Sequence, residues 1–216
     1  MTSEIKLLIP ARRNSKGLPF KNRLLFEHTI STIPTEYFKN LLVSTDDEVL
    51  IEKAKLMGLS VSIRPDNLAK DETSTKDVVR YHIDNGDIDE KSVVIMLYLT
   101  YPERTWGDVE RAYNSFVESS SNSLLCKKEI KGTHPYLYMF DLGNNMGKQL
   151  IEHNLYRRQD YPLLFEISHY IAIFNVSYFN ELNNNLYNNE TFFLKINDVT
   201  DVDTKVDLDG VFLKEK

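Results

Sequence analysis

The sequence predicts a three-layer α/β/α fold on a mostly parallel sheet. Short aliphatic and β-branched runs recur along the chain with helical patterns between them, as expected for parallel strands joined by crossover helices. The first run, Lys6-Leu7-Leu8-Ile9, is of the buried type, as in a strand covered on both faces. It leads into Pro10-Ala11-Arg12-Arg13-Asn14-Ser15-Lys16-Gly17-Leu18-Pro19-Phe20-Lys21-Asn22. A cation-rich turn after a strand sits where α/β sheets bind ligands, at the strands' carboxyl edge.

Each element follows in order. Leu24 to Ile33 reads as a short helix stopped near Pro34, and Asn40 to Thr45 as a strand. Asp46-Asp47 opens a helix, with acids in the first turn where the helix dipole favours them. That helix runs to Gly58, a C-terminal stop. Val61 to Arg64 is a strand ending at Pro65, and Thr75 to Gly86 is helical. Ser92 to Thr100 is the most hydrophobic run and is expected at the centre of the sheet. Thr105 to Ser119 is an amphipathic helix with Thr105 and Asp108 placed as a cap pair. Ser123 to Lys127 is another strand.

After about Lys131 the pattern changes. Tyr136 to Leu142, a turn over Gly143 to Gly147, and Gln149 to His153 read as a hairpin, an arm over residues 131–166 projecting from a single domain of residues 1–216. Tyr170 to Val176 and Phe192 to Ile196 are core strands. The Asn-rich run Asn183-Asn184-Asn185, with Asn188-Asn189, reads as solvated loop without chemistry.

Composition narrows the function. A chain of 216 residues with 42% hydrophobic content can bury a sizeable core. A net charge of −6 argues against a general nucleic-acid binder. The single Cys126 excludes an intramolecular disulfide and reads as a small buried apolar residue in a reducing compartment. No apolar run is long enough for a membrane span and no signal peptide is evident, so a cytoplasmic protein is expected.

The candidate site residues fall in separated clusters. In the first loop, Arg12, Lys16 and Lys21 suit a polyphosphate, although neither a Walker P-loop nor a Gly-x-Gly-x-x-Gly fingerprint is present. Asp201-Val202-Asp203 places two carboxylates on one side of an extended stretch. They either hold a hard cation such as Mg²⁺ or belong to a loop in which Asp203 or Thr204 caps the helix Lys205 to Leu208. Arg64 stands at a strand end, and Ser74 precedes a helix as a plain N-cap or a ligand contact. Asp46, at the end of a strand and ahead of a capped helix, reads as a structural acid. Arg157-Arg158 reads as a surface pair or as a bidentate grip on a carboxylate.

These motifs, in this order along nearly the whole chain, resemble the acylneuraminate cytidylyltransferases, which make CMP-sialic acid and related CMP-sugars. The matching wording is Arg12, Ser15-Lys16 and Lys21-Asn22; Arg64-Pro65 with Leu68-Ala69; Thr73-Ser74-Thr75 with Asp77-Val78; Thr100, Pro102 and Arg104-Thr105; Arg158-Gln159 with Pro162; and Asp201-x-Asp203-Thr204 with Asp207. The resemblance implies a nucleotide-diphospho-sugar transferase-like fold and a homodimer made through the arm. It implies transfer of CMP from CTP to a sugar acid of the nonulosonic class.

In this picture Arg12, Lys21 and Asp203 are catalytic, while Lys16, Asn22, Arg64 and Ser74 bind CTP. Tyr98, Thr100, Arg104, Arg158 and His169 face the acceptor, Arg158 from the dimer partner, and Asp201 and Asp203 hold Mg²⁺. Nucleic acid and membrane are not expected partners. Departures cluster on the acceptor side: Tyr98, Leu99 and Tyr101 replace the usual Gln, Pro and Ser, Leu137 replaces a Lys, and Ser168-His169-Tyr170 stands for Asn-Gly-Ala. In the first loop Arg13-Asn14 replaces Gly-Gly. Alternatives are a CMP-Kdo-type or other-acid cytidylyltransferase and a non-catalytic nucleotide-binding dimer module. Retention of Arg12, Lys21, Asp201 and Asp203 together argues against the last.

Overall fold

A seven-stranded sheet runs in the order β3-β2-β1-β4-β8-β5-β9 in a computed structural model that describes residues 4–130 and 132–214. The strands are β1 (Ile5–Pro10), β2 (Leu41–Thr45), β3 (Ser60–Ile63), β4 (Val93–Met96), β5 (Ser123–Glu129), β8 (Phe165–Asn175) and β9 (Phe192–Lys195). Strand β4 lies at the centre, as its hydrophobicity predicts. All ladders are parallel except those of β8, which runs antiparallel to both β4 and β5.

Alternate residues of the strands feed two cores. Leu7, Ile9, Val43 and Ile95 face one cluster, shared with helices α1 (Lys21–Ser31), α2 (Glu48–Leu56), α4 (Trp106–Ser119) and α5 (Lys205–Lys214). Leu8, Leu42, Val94 and Met96 face the other, covered by α3 (Thr75–Asp84) and the segment 176–186. Hence the three layers. Sequence caps act where they are expected: Asp47 accepts from the Val49 amide, and Ser74/Asp77 and Thr105/Asp108 form reciprocal capping boxes.

Several elements differ from expectation. The second hairpin strand is Met146–Gln149, which begins inside the expected turn, rather than Gln149 to His153, and β8 starts at Phe165 rather than Tyr170. Helix α1 begins at Lys21, three residues before Leu24, and has no side-chain cap. Tertiary contacts start it instead: Asn22 Nδ2 donates to the Arg12 carbonyl at 2.8 Å and Lys21 Nζ to the Val202 carbonyl at 2.9 Å. Phe20, at φ 55, turns the chain in, with the Arg23 guanidinium 4.3 Å from its ring centroid. Strand β4 ends at Met96, and residues 98–100 leave the sheet to line the site.

The arm is a hairpin of β6 (Met139–Gly143) and β7 (Met146–Gln149). Asn144 and Asn145 both adopt positive φ, the conformation of the tight turn that matches strand twist. At its base the rings of His134, Tyr136, His153 and Tyr161 pack together, with Tyr136 and His153 stacked at 4.3 Å. Both hairpin strands are exposed, including Met139, Phe140, Leu142 and Met146. Among the described residues no helix is long and apolar enough to cross a membrane.

Candidate active site

Chain order reverses at β1: β2 and β3 lie on one side of it and β4 on the other. Such a switch point opens a crevice beyond the carboxyl ends of the two strands. The loop after β1 and residues 98–100 after β4 line it. A third segment closes it, because the Val202 amide donates to the Thr100 carbonyl at 2.8 Å and carries Asp201 and Asp203 to the rim. The crevice holds two cavities of about 370 and 350 Å³ that share Thr73, Thr75, Tyr98 and Thr100 as walls.

The first cavity is cationic. Arg12, Lys16, Lys21, Arg64 and Lys70 line it against Asp71 and Asp203. Lys21, 7% exposed, donates to Asp203 Oδ1 at 2.7 Å and so ties the first loop to the aspartate segment. Gly17 makes that approach possible, since a Cβ there would lie 2.3 Å from the Asp203 carbonyl oxygen. Arg64 is buried, donating to the Ser44 carbonyl at 3.1 Å; burial pushes its guanidinium down to about 10, still charged at neutral pH.

Asp71 stands opposite the loop cations, 2.6 Å from Arg12 and 3.2 Å from Lys16. These partners hold its carboxyl below the usual range, the Lys16 hydrogen bond most of all. The carboxylate occupies the cations in the way an anionic ligand would. The sequence contains Asp71 in the right neighbourhood, but only the turn that follows β3 reveals the pairing.

The second cavity has Asp201 but no Lys or Arg in its lining. Ser74, Tyr98, Thr100, His169 and Asp201 line it, so five predicted residues meet there; Ser74, expected on the nucleotide, lines this cavity and not the first. The Tyr98 hydroxyl is pushed up to about 12 by burial and remains a donor. Its ring meets His169 edge-on at 5.7 Å. His169 reaches the cavity because the β5–β8 ladder slips: Leu125 pairs with Ala172 and Cys126 with Ser168, leaving residues 169–171 of β8 unmatched. A bulge of this kind re-aims side chains out of the ladder. Asp201 Oδ2 accepts from the Tyr101 hydroxyl at 3.0 Å, and burial raises the Tyr101 hydroxyl further above its ordinary range.

Other predicted residues lie elsewhere. Arg104 lines neither cavity; only 3% exposed, it donates to the Tyr170 carbonyl at 3.0 Å beneath the site. Burial lowers it to about 10. Arg158 is exposed on a short 3-10 turn, Arg158–Asp160, of the arm and lines neither cavity of its own chain, while Arg157 grips Asp160 through two hydrogen bonds. Leu137 sits in the arm and is exposed. Asp46 accepts from the Arg13 amide at 2.7 Å and fixes the first loop from outside the cavities. Cys126 is buried with its thiol pushed up to about 12, an inert packing residue.

Of the two sequence readings of the aspartate segment, the helix cap is present. Thr204 caps α5 with Asp207, whose Oδ2 accepts from the Thr204 amide and hydroxyl, each at 2.8 Å. The Asp203 amide joins that cap, donating to Asp207 Oδ2 at 3.1 Å, while Asp203 lines the first cavity and Asp201 the second. Among the described residues no three His, Cys, Asp or Glu side chains converge as a complete ligand set. Two carboxylates beside a cationic cavity fit Mg²⁺ all the same, because that ion keeps water and draws its other ligands from phosphate. The Asp203 side chain is 70% exposed and accessible for such a contact.

The family model described as Cytidylyltransferase matches residues 7–102, from β1 through the walls after β4. The N-acylneuraminate cytidylyltransferase of Streptococcus agalactiae serotype V (strain ATCC BAA-611 / 2603 V/R) is 28% identical over 168 residues, 73% of this chain and 40% of that protein. The resemblance to the acylneuraminate cytidylyltransferases holds. The N-acylneuraminate cytidylyltransferase of Escherichia coli O18:K1:H7 (strain RS218 / NMEC) is 34% identical over 88 residues, 38% of this chain and 21% of that one. The chain thus spans about 40% or less of the length of these cytidylyltransferases. In structure it is similar to a CMP:2-keto-3-deoxy-manno-octonic acid synthetase complexed with CTP. That comparison has a TM-score of 0.65 at 14% identity and covers 99% of this chain and 100% of that one. Likeness at that identity shows a shared fold, a mostly parallel sheet of nucleotide-diphospho-sugar transferase type.

Proposed function

We propose that the chain is a cytidylyltransferase that couples CTP to a sugar acid. The observation that carries the reading is the pairing of a cationic cavity with one that has no Lys or Arg in its lining, across a shared wall, with Lys21 and Asp203 joined at the rim. The first cavity suits the triphosphate and the second the acceptor. An acceptor hydroxyl oxygen attacks the α-phosphorus, the bond to the β-phosphate oxygen breaks, pyrophosphate leaves, and the hydroxyl proton passes to solvent.

Arg12, Lys16 and Lys21 neutralise the charge that grows on the departing pyrophosphate, and electrostatic stabilisation of this kind carries most of phosphoryl-transfer catalysis. Binding of phosphate to Arg12 and Lys16 displaces them from Asp71. Arg64 and Asn22 position the nucleotide from the cavity floor. Asp201 and Asp203 would hold Mg²⁺, which supplies Lewis-acid polarisation of phosphate oxygens when bound. Tyr98 donates a hydrogen bond into the acceptor cavity, and its high range keeps that proton in place.

The acceptor's carboxylate finds no Lys or Arg among the second cavity's lining residues. Arg158 of a second copy would supply one, and the exposed apolar residues of the hairpin support its burial against that copy. The buried single cysteine accords with a reducing, cytoplasmic setting. The test is pyrophosphate release from CTP and Mg²⁺ with sialic, legionaminic, pseudaminic and Kdo acids in turn. Release with one acid fixes the reaction and the acceptor. A protein that binds no CTP refutes the reading.

A further inference from the structure

In sequence the run Asn183-Asn184-Asn185 reads as solvated loop. In the structure Asn184 and Asn185 form one wall of the second cavity. The geometry points to the turn 183–187 as an acceptor-selecting element: Asn184 and Asn185 are specificity-determining residues that hydrogen-bond the neutral amide and hydroxyl substituents of the acceptor. This rests on the cytidylyl-transfer reading of the site.

The turn is built to hold those two side chains in place. Asn183 Oδ1 accepts from the Asn185 amide at 2.9 Å and from the Tyr187 amide at 3.3 Å. The Asn183 amide donates to the Tyr187 carbonyl at 2.9 Å, and the Leu186 amide to the Asn183 carbonyl at 3.0 Å. Leu186 has φ 64, in the left-handed region that a bulky side chain rarely enters. Such a conformation persists only where its surroundings over-determine it. They do so here: Leu186 is 1% exposed and packs in the second core cluster with Val79, Phe179 and Leu182. The core thus anchors the turn through Leu186 while Asn184 and Asn185 stay exposed at the cavity.

The two walls are also joined. His169 Nε2–H donates to the Asn185 carbonyl at 3.3 Å, linking the bulge of β8 to the turn. Its chemistry is that of a neutral, hydrogen-bonding ligand. Each carboxamide offers two N–H donors and one acceptor oxygen. This set complements an N-acyl group, which presents one N–H and one carbonyl, and it complements hydroxyls. A site that hydrogen-bonds a substituent discriminates against an acceptor lacking it, because its own polar groups are then left unpaired.

The experiment measures initial rates of pyrophosphate release for the wild type, N184A, N185A, the double variant N184A/N185A and N189A. Asn189 is an exposed residue of the same Asn-rich region that lines neither cavity. Each variant is assayed with N-acylated acids and with Kdo, which carries no N-acyl group. The double variant is expected to raise the KM of the N-acylated acceptor roughly tenfold. Its KM for CTP and its melting temperature should stay at wild-type values, N189A should match the wild type, and the wild type's preference for N-acylated acids over Kdo should shrink. Where the wild type turns over, an unchanged acceptor KM in the double variant refutes this inference alone, as does an equal rise in its KM for CTP. Absence of turnover by the wild type with every acid refutes the reading of the site and the inference with it.

Discussion

Replacing Gly17 by alanine should disable the site without weakening the fold. The alanine Cβ would lie 2.3 Å from the Asp203 carbonyl oxygen and 3.3 Å from its carbon, where contacts under 3.0 Å essentially never occur. The obstacle is backbone, so no rotamer change relieves it. The first loop and the aspartate segment must part by about 0.7 Å, from 2.3 to 3.0 Å. That movement stretches the 2.7 Å contact between Lys21 and Asp203 that ties the two walls. Misplacement of reacting groups by about 1 Å costs roughly 10²-fold in rate. We therefore expect kcat/KM for CTP to fall by about one to two orders of magnitude.

Gly17 is exposed, so the melting temperature should move little. Gly58 supplies the opposite control: it has φ 72 and open space where a Cβ would go. G58A should cost about 1–2 kcal/mol of stability through the left-handed backbone alone and leave the KM for CTP at its wild-type value. The assay is pyrophosphate release beside urea denaturation. Wild-type kcat/KM in a fully folded G17A would refute the claim that contact between the two segments positions the site.

Three further outcomes are expected. K21M keeps the aliphatic stem but loses the bonds to Val202 and Asp203; kcat/KM should drop about 10²–10³-fold, and a smaller loss than tenfold would remove Lys21 from the chemistry. Y101F takes away the Asp201 hydrogen bond, so a Mg²⁺ titration of the rate should shift several-fold to higher concentration, with an unshifted curve counting against Asp201 as a ligand. R104M leaves the Tyr170 carbonyl without its donor and should lower the unfolding free energy by about 1–3 kcal/mol in a urea melt; a loss confined to acceptor KM would instead return Arg104 to a substrate role.

The sequence makes much of the sheet legible because both cores are fed by runs of aliphatic residues, and the capped helices are legible because Asp47, Ser74 and Thr105 cap through local bonds. Helix α1 is misplaced at its start because long-range bonds from Lys21 and Asn22, not a capping residue, begin it. The cation set of the first cavity is readable as a loop motif, but its internal counter-charge, Asp71, is visible only when the turn after β3 folds over it. Arg104 carries a family position yet lies under the cavities, since a motif fixes order along the chain and not the direction of a side chain. Asn184 and Asn185 carry no sequence signal because what places them is the burial of their neighbour Leu186.

The slipped ladder between β5 and β8 has an effect on how this protein can diverge. Residues on a regular strand are constrained twice, by their neighbours across the ladder and by the face on which alternation puts them. His169 lies among three residues freed from that pairing, with Ser168 and Ala172 matched on either side. A change of side chain at 169 alters the cavity without disturbing those matches. The specificity of the pocket can therefore drift by single substitutions at this position while the sheet beneath it keeps its register.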